Sequence, residues 1–205
     1  MAGKRETRLY HHGDLRNSLL AAAEKLLREQ GAADISLREV AKAAGVSHTA
    51  PYRHFQDKSS LLQALAAIGY GRLRDALQDV RANHAAQPDE ALLAAGEAYV
   101  MLAVDNPEMT QLMFGGVLPR EVSEAELMEC SDSAFNALLE IVDLGLEQGI
   151  YKEKDRMEIA LAAWSMVHGL SMLITAGQLA QYASDPKSVR SLARGVGEKL
   201  LRGLS

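Results

Sequence analysis

The chain has 205 residues, of which 48% are apolar and 24% charged, with a formal net charge of −5. That balance allows a buried core in one or two domains and excludes disordered and fibrous classes. A single cysteine, Cys130, leaves no intramolecular disulfide, and no charged-then-apolar leader opens the chain, so a reducing cytoplasm is the expected location. The charge is uneven. Residues 1 to 60 hold 10 Lys/Arg against 7 Asp/Glu, and the remainder hold 12 against 20, which suits a small module held on phosphate ahead of an acidic body.

Lys4, Arg5 and Arg8 stand in a stretch without apolar period, expected to form a basic arm. From Asp14, an N-cap candidate, Leu15, Leu19, Ala22, Ala23, Leu26 and Leu27 repeat at helical spacing up to Gly31, the expected terminator. A second helix is spelled out by ISLREVAKAAGVS. Ser36 with Glu39 three residues on forms a capping box, Ile35 and Val40 a hydrophobic staple, and Gly45-Val46 a left-handed stop. Ser47 then caps a further short helix, His48 to Phe55. Two short helices joined by a Gly-containing turn are the helix-turn-helix pattern, whose second helix offers its first side chains to base edges.

Asp57 is placed to cap a long helix through Leu61, Leu65, Leu73, Leu77 and Val80, and Lys58 beside its amino end can meet a phosphate. After Pro88 a helix runs to Asn106-Pro107, and a short one follows through Leu112 to Phe114. Ser123 and Glu126 repeat the capping-box spacing ahead of a helix ending at Gly149. Asp155 opens an apolar helix to about Leu179, and Asp185-Pro186 a last one. Ile159 to Gly177 lacks charge and is barely long enough to span a bilayer, but its Ala, Ser, Gly and His content marks a buried helix, so no membrane association is expected. No stretch alternates with period two, so the chain reads as all-α.

At this point the residues resemble a family. LLAAAEKLLREQG, SLREVAKAAGVS and YRHFQDKSSLL are similar to the N-terminal segment of the tetracycline-repressor (TetR) family of transcriptional regulators. YHHGDLR, NPEMTQLMFGG and the set Trp164, His168 and Gly169 resemble one C-terminal type of that family, called WHG. The resemblance implies a three-helix helix-turn-helix DNA-binding domain at 1–60 and a helical ligand-binding and dimerisation domain at 61–205. It further implies a homodimer on a palindromic operator of double-stranded DNA, acting as a repressor and released by a small apolar effector. Pro51 departs from the family's usual large apolar residue and removes an amide, so altered spacing is expected in the reading helix.

Thr49 and His48 are the candidates for base edges, and Arg53 for backbone or groove walls. By resemblance Tyr52, His54 and Lys58 contact phosphate, with Ser36 and Ser47 at the two helix starts. In the body, Tyr99, Met101, Met109, Met113, Phe114, Trp164, Met166, His168 and Met172 are candidates for the wall of an apolar ligand pocket, although a packed helical core calls for the same residues. No G-x-S-x-G, H-E-x-x-H, phosphate-binding loop or cysteine cluster is present, and His48 and His54 are poorly spaced for a metal, so no catalytic residue, metal or cofactor is expected. The competing reading is a helical ligand- or partner-binding protein without DNA binding. Salt-insensitive association would mark that alternative.

Overall fold

The computed structural model describes residues 12–118, 125–152 and 155–204. The basic arm and Ser123 lie outside them. Among the described residues every regular element is helical, as expected: α1 (His12–Asp34), α2 (Leu37–Ala43), a 3-10 turn (Pro51–Arg53), α3 (Lys58–His84), α4 (Pro88–Asp105), α5 (Pro107–Phe114), α6 (Ala125–Glu147), α7 (Arg156–Thr175) and α8 (Pro186–Leu204). Contacts divide the chain into two units, one ending at Leu65 and the other beginning at Ala66, with α3 running through the boundary.

In the first unit the local signals act where they stand in sequence. α1 begins at His12, ahead of Asp14, and its regular geometry breaks at Gly31 (φ 76°, ψ 168°). The Glu39 N–H donates to Ser36 Oγ (3.3 Å), and the Ser36 hydroxyl in turn donates to the Glu39 carboxylate (2.7 Å) rather than that carboxylate reaching the Ser36 amide. α2 closes as a Schellman turn. Gly45 takes φ 69°, its N–H donates to Lys42 O (3.2 Å), and the Val46 N–H reaches back to Ala41 O (3.0 Å). Leu19, Ala23, Leu27, Ile35, Leu37, Val40 and Phe55 are buried, which stabilises this small unit by about 1.5–3 kcal/mol for each large apolar side chain.

The expected second helix of the motif is corrected to a tighter form. Residues 48–50 are turn, and only Pro51–Arg53 are helical, with 3-10 spacing. Pro51 has no N–H to continue an α-helical ladder from Ser47. The bonds run instead from Ala50 N–H to Ser47 O (2.9 Å), Arg53 N–H to Ala50 O (3.2 Å) and His54 N–H to Pro51 O (2.9 Å), each spanning three residues. Ser47 does not cap this turn with its side chain; its Oγ lies 3.2 Å from Thr49 Oγ1. Asp57 does cap α3, accepting the Ser60 N–H at 2.8 Å.

The second unit is built around α4, which packs against α5, α6, α7 and α8, while α7 also meets α6 and α8. Close approach is made possible by missing side chains. A Cβ on Gly96 would come 3.2 Å from Val167 of α7, and one on Gly197 of α8 would come 2.7 Å from Leu93. Arg194 of α8 then ties α4 down: Nη2 and Nη1 donate to the two Glu90 oxygens (2.6 and 2.9 Å), and Nη1 also to Glu97 (3.0 Å). The guanidinium holds the Glu90 carboxyl below the usual carboxylate range.

Asp155 caps α7 by accepting from the N–H groups of Met157 (2.8 Å) and Glu158 (3.1 Å). The helix ends at Thr175, short of Leu179, because Gly177 takes φ 74° and the Gln178 N–H folds back onto Leu173 O (3.0 Å). By length and composition alone α7 is apolar enough to cross a bilayer, but three helices of the bundle pack against it. α6 stops at Gly149 in the same way, which delivers Tyr151 into the core. The Tyr151 ring is fully buried, its hydroxyl donates to Pro88 O (3.4 Å), and it fills the space where a Gly145 side chain would be.

Two glycines on helices therefore have opposite consequences. Gly145→Ala, whose Cβ would sit 2.1 Å from the Tyr151 ring, is expected to cost about 1–3 kcal/mol in urea unfolding. Gly71→Ala, whose only neighbour within 4 Å is the Arg74 guanidinium at 4.0 Å, is expected to be neutral or to stabilise by up to about 1 kcal/mol. Equal losses for the two would show that helix close approach at Gly145 is not what holds Tyr151.

Candidate functional site

Two places in the molecule carry chemistry beyond packing. The first is the turn that follows α2. Ser47, His48, Thr49, Tyr52 and Arg53 are exposed, Tyr52 to 52%, while Pro51 and Phe55 between and after them are buried. The segment is a polar rim pinned from beneath by two apolar side chains, and the Arg16 guanidinium lies 5.8 Å over the Phe55 ring. His54 is half-buried beside Phe55, with ring centroids 6.5 Å apart.

Two of the residues singled out from sequence are already engaged. The Ser36 hydroxyl both donates to and accepts from Glu39, so its hydrogen-bonding capacity goes to the α2 cap. The Lys58 ammonium donates to Ala33 O near the end of α1. A cation near carbonyls at a helix end is a favourable placement, and it competes with any outside anion.

The second place is a cavity of about 770 Å³ inside the second unit. Its wall is made by Tyr70, Leu73 and Leu77 of α3, Tyr99 of α4, Leu112, Met113 and Phe114 of α5, Leu127, Ser131, Ala134, Phe135 and Leu138 of α6, and Leu161, Trp164 and His168 of α7. Of the residues chosen from sequence, Tyr99, Met113, Phe114, Trp164 and His168 meet here. Met101, Met109, Met166 and Met172 do not. Met101 lies two residues from Tyr99, so it points to another side of α4 and joins Val100, Leu170, Val189 and Ala193 in a separate cluster. Met109 is covered by α3, because Gly69 leaves room for its thioether 3.1 Å from where a Cβ would stand. Met166 is also off the His168 face of α7, and Met172 is a further turn along.

Sequence reading overlooked the contributions of α3 and α6. The α6 residues were legible in principle, since Leu127, Ser131, Ala134 and Leu138 recur at i, i+4, i+7 and i+11, one stripe of a helix. Nothing local said that this stripe would face a space rather than a neighbour.

A short polar chain is set into the aromatic wall. The Trp164 Nε1–H donates to Tyr99 Oη (3.4 Å), and Tyr99 Oη lies 2.8 Å from His168 Nδ1. Phe114 packs edge-on to His168 at 5.2 Å and lies 6.1 Å from Trp164, which is 5.8 Å from Phe135. The Tyr70 hydroxyl donates to Met113 O (3.0 Å). The arrangement that spends the phenol proton inside this chain has Tyr99 donate to His168 Nδ1, and in it His168 is a neutral imidazole carrying its hydrogen on Nε2. Burial pushes the Tyr99 hydroxyl up to about 12 and His168 below its ordinary value. Among the described lining residues Asp132 is the only Asp, Glu, Lys or Arg, and it is exposed.

The lowered His168 value has a defined sign. Unfolded, the imidazole titrates near 6.5; folded, it takes its proton at lower pH. Stability is therefore complete above about pH 6.5 and falls as pH drops through that value, because the unfolded chain binds the extra proton first. His168→Gln is expected to flatten the fall in melting temperature between about pH 7 and pH 5. An identical pH profile for the variant and the parent would remove His168 as the source.

Comparison with known proteins adds to this geometry. Residues 19–65 match the family model described as bacterial regulatory proteins, tetR family, and residues 92–196 match one described as tetracyclin repressor-like, C-terminal domain. A solved protein of unknown function from Rhodococcus sp. RHA1 is 33% identical, covers 96% of this chain and 98% of its own, and superposes with a TM-score of 0.83. The nucleoid occlusion factor SlmA of Aliivibrio fischeri is 30% identical over 142 residues, 67% of each chain. The transcriptional regulator FadR from Bacillus subtilis, solved in complex with stearoyl-CoA, shares the fold at 20% identity and a TM-score of 0.70, over 92% of this chain and 99% of its own. The match to the first curated relative spans 24% of that protein's length, and the match to the second spans 76%.

Proposed function

The chain belongs to the TetR family and is a helix-turn-helix transcriptional regulator, and from that premise we propose that it is a dimeric repressor released from a palindromic operator by a small apolar effector. Residues 1–60 are the reading domain and 61–205 the effector and dimerisation domain. The observation that carries the proposal is the exposed rim from Ser47 to Arg53, held outward by buried Pro51 and Phe55. Thr49 and His48 read base edges, where a hydroxyl or an imidazole can donate or accept and the Thr methyl can pack on thymine. Tyr52, Arg53 and His54 set register on phosphate, with Ser47 beside them. Lys58 reaches a phosphate by exchanging its hydrogen bond to Ala33 O, and Ser36 supports the motif as its cap.

A second copy supplies the other half-site. α7 carries small residues and the exposed Leu173, and α8 the open glycines Gly195 and Gly203; on these two helices two copies would pair as a four-helix interface. Two half-sites on one rigid dimer multiply weak contacts. The cavity is the effector site; FadR, a regulator of similar fold, is solved in complex with stearoyl-CoA. Release requires that the effector bind the DNA-free conformation more tightly than the DNA-bound one; equal affinity for both would change nothing.

Selection of genomic fragments with the purified chain is expected to return a palindrome whose affinity falls steeply with salt. Thr49→Ala should lose about 1–3 kcal/mol of discrimination at one base position, whereas Arg53→Ala should weaken all sequences alike and lower the salt slope by about 1. Salt-insensitive association with no selected sequence would instead support the helical ligand- or partner-binding reading.

A further inference from the structure

The ring N–H groups and phenol hydroxyls of the cavity wall can be accounted for one by one; of the two lining serines, Ser131 is hydrogen-bonded to Tyr70 and Ser165 is exposed. Trp164 N–H is taken by Tyr99, the Tyr99 proton by His168 Nδ1, and the Tyr70 proton by Met113 O. That leaves His168 Nε2–H, which has no partner among the described residues. No side-chain nitrogen or oxygen there is both buried and unpaired, so this hydrogen is reachable from the cavity. Apart from the exposed Ser165 hydroxyl, the described wall therefore presents one half-buried donor in an aromatic and aliphatic surface. No lysine or arginine is among the described lining residues.

From this geometry, and resting on the reading of the cavity as the effector site, we infer that the effector is an uncharged, mainly hydrocarbon molecule with one hydrogen-bond-accepting oxygen, seated on His168 Nε2. A carboxylate or phosphate seated on His168 would find no lysine or arginine among the described lining residues, and Asp132 there is an acidic neighbour. An alkylammonium would find only Asp132, which is exposed and screened. A ketone, ester or ether oxygen satisfies the unspent N–H and carries no charge into the aromatic wall. The volume, about 770 Å³, lies in the roughly 300–1,000 Å³ range of small-molecule sites.

Trp164 is the single tryptophan of the chain and stands in the wall, so its emission reports occupancy directly. The full chain is titrated with 2-nonanone, nonanoate and nonylammonium, which share a chain length and differ in head group. The expected result is saturable binding of 2-nonanone at least about tenfold tighter than either ion. His168→Leu should weaken the ketone about tenfold and leave the weak ion binding as it was, and His168→Gln, which keeps an N–H, should retain most of the ketone affinity. Tighter binding of nonanoate or nonylammonium, undiminished ketone binding by a folded His168→Leu chain, or no saturable response to any of the three would overturn the inference. If the Leu variant does not fold, loss of ketone affinity in the Gln variant to the level of the ions overturns it equally. Each of these results alongside intact sequence-selective DNA binding would leave the regulator standing and remove only this account of its effector.

Discussion

The second unit depends on how closely α4 is allowed to approach α7 and α8. That approach is set by absent atoms, at Gly96 under Val167 and at Gly197 under Leu93, and is held by Arg194 gripping Glu90 and Glu97. Helices carrying larger residues at these points would stand further off. The consequence is directional. With α4 drawn toward α7 and α8, Tyr99 comes within hydrogen-bond distance of His168, and the remaining side of the bundle, between α6, α7 and the α3–α5 segments, keeps a space that its own side chains do not fill.

Polar atoms inside an apolar wall cost free energy unless they are paired, and the Trp164, Tyr99 and His168 chain meets that cost by passing one hydrogen bond to the next. The indole can only donate, and with Tyr99 donating onward the imidazole keeps its hydrogen on Nε2, which decides what the cavity offers to an occupant. A donor left unpaired in an apolar wall disfavours any occupant that cannot accept from it.

The first unit follows a different rule. It is small, its core is limited to a few apolar side chains, and its shape is maintained by local devices: the Ser36 cap, the Gly45 turn and the Asp57 cap. Those devices place Pro51 and Phe55 inward with His54 half-buried beside Phe55, and Ser47, His48, Thr49, Tyr52 and Arg53 are left facing out. Exposure of the rim is thus a by-product of where the apolar residues are buried. The absent Pro51 amide tightens the turn to 3-10 spacing, which shortens the reading element without withdrawing it from the surface.

The sequence by itself determined the helical class, the starts and ends of most elements and the helix-turn-helix, because caps, left-handed glycines and apolar periods act over about four residues and need nothing distant. Ser36, Gly45, Asp57, Asp155 and Gly149 do in the folded chain what their neighbours imply. Only the tertiary structure decided what the body's aromatic and methionine side chains face. Tyr99 and His168 are 69 residues apart, and periodicity, which identifies a buried stripe, is silent about whether that stripe meets a helix or a void. Met101 went to another face of α4 and Met109 lies beneath α3 at Gly69, while Tyr70 and the α6 stripe turned to the cavity; these outcomes depend on helix approach distances, which non-local packing sets.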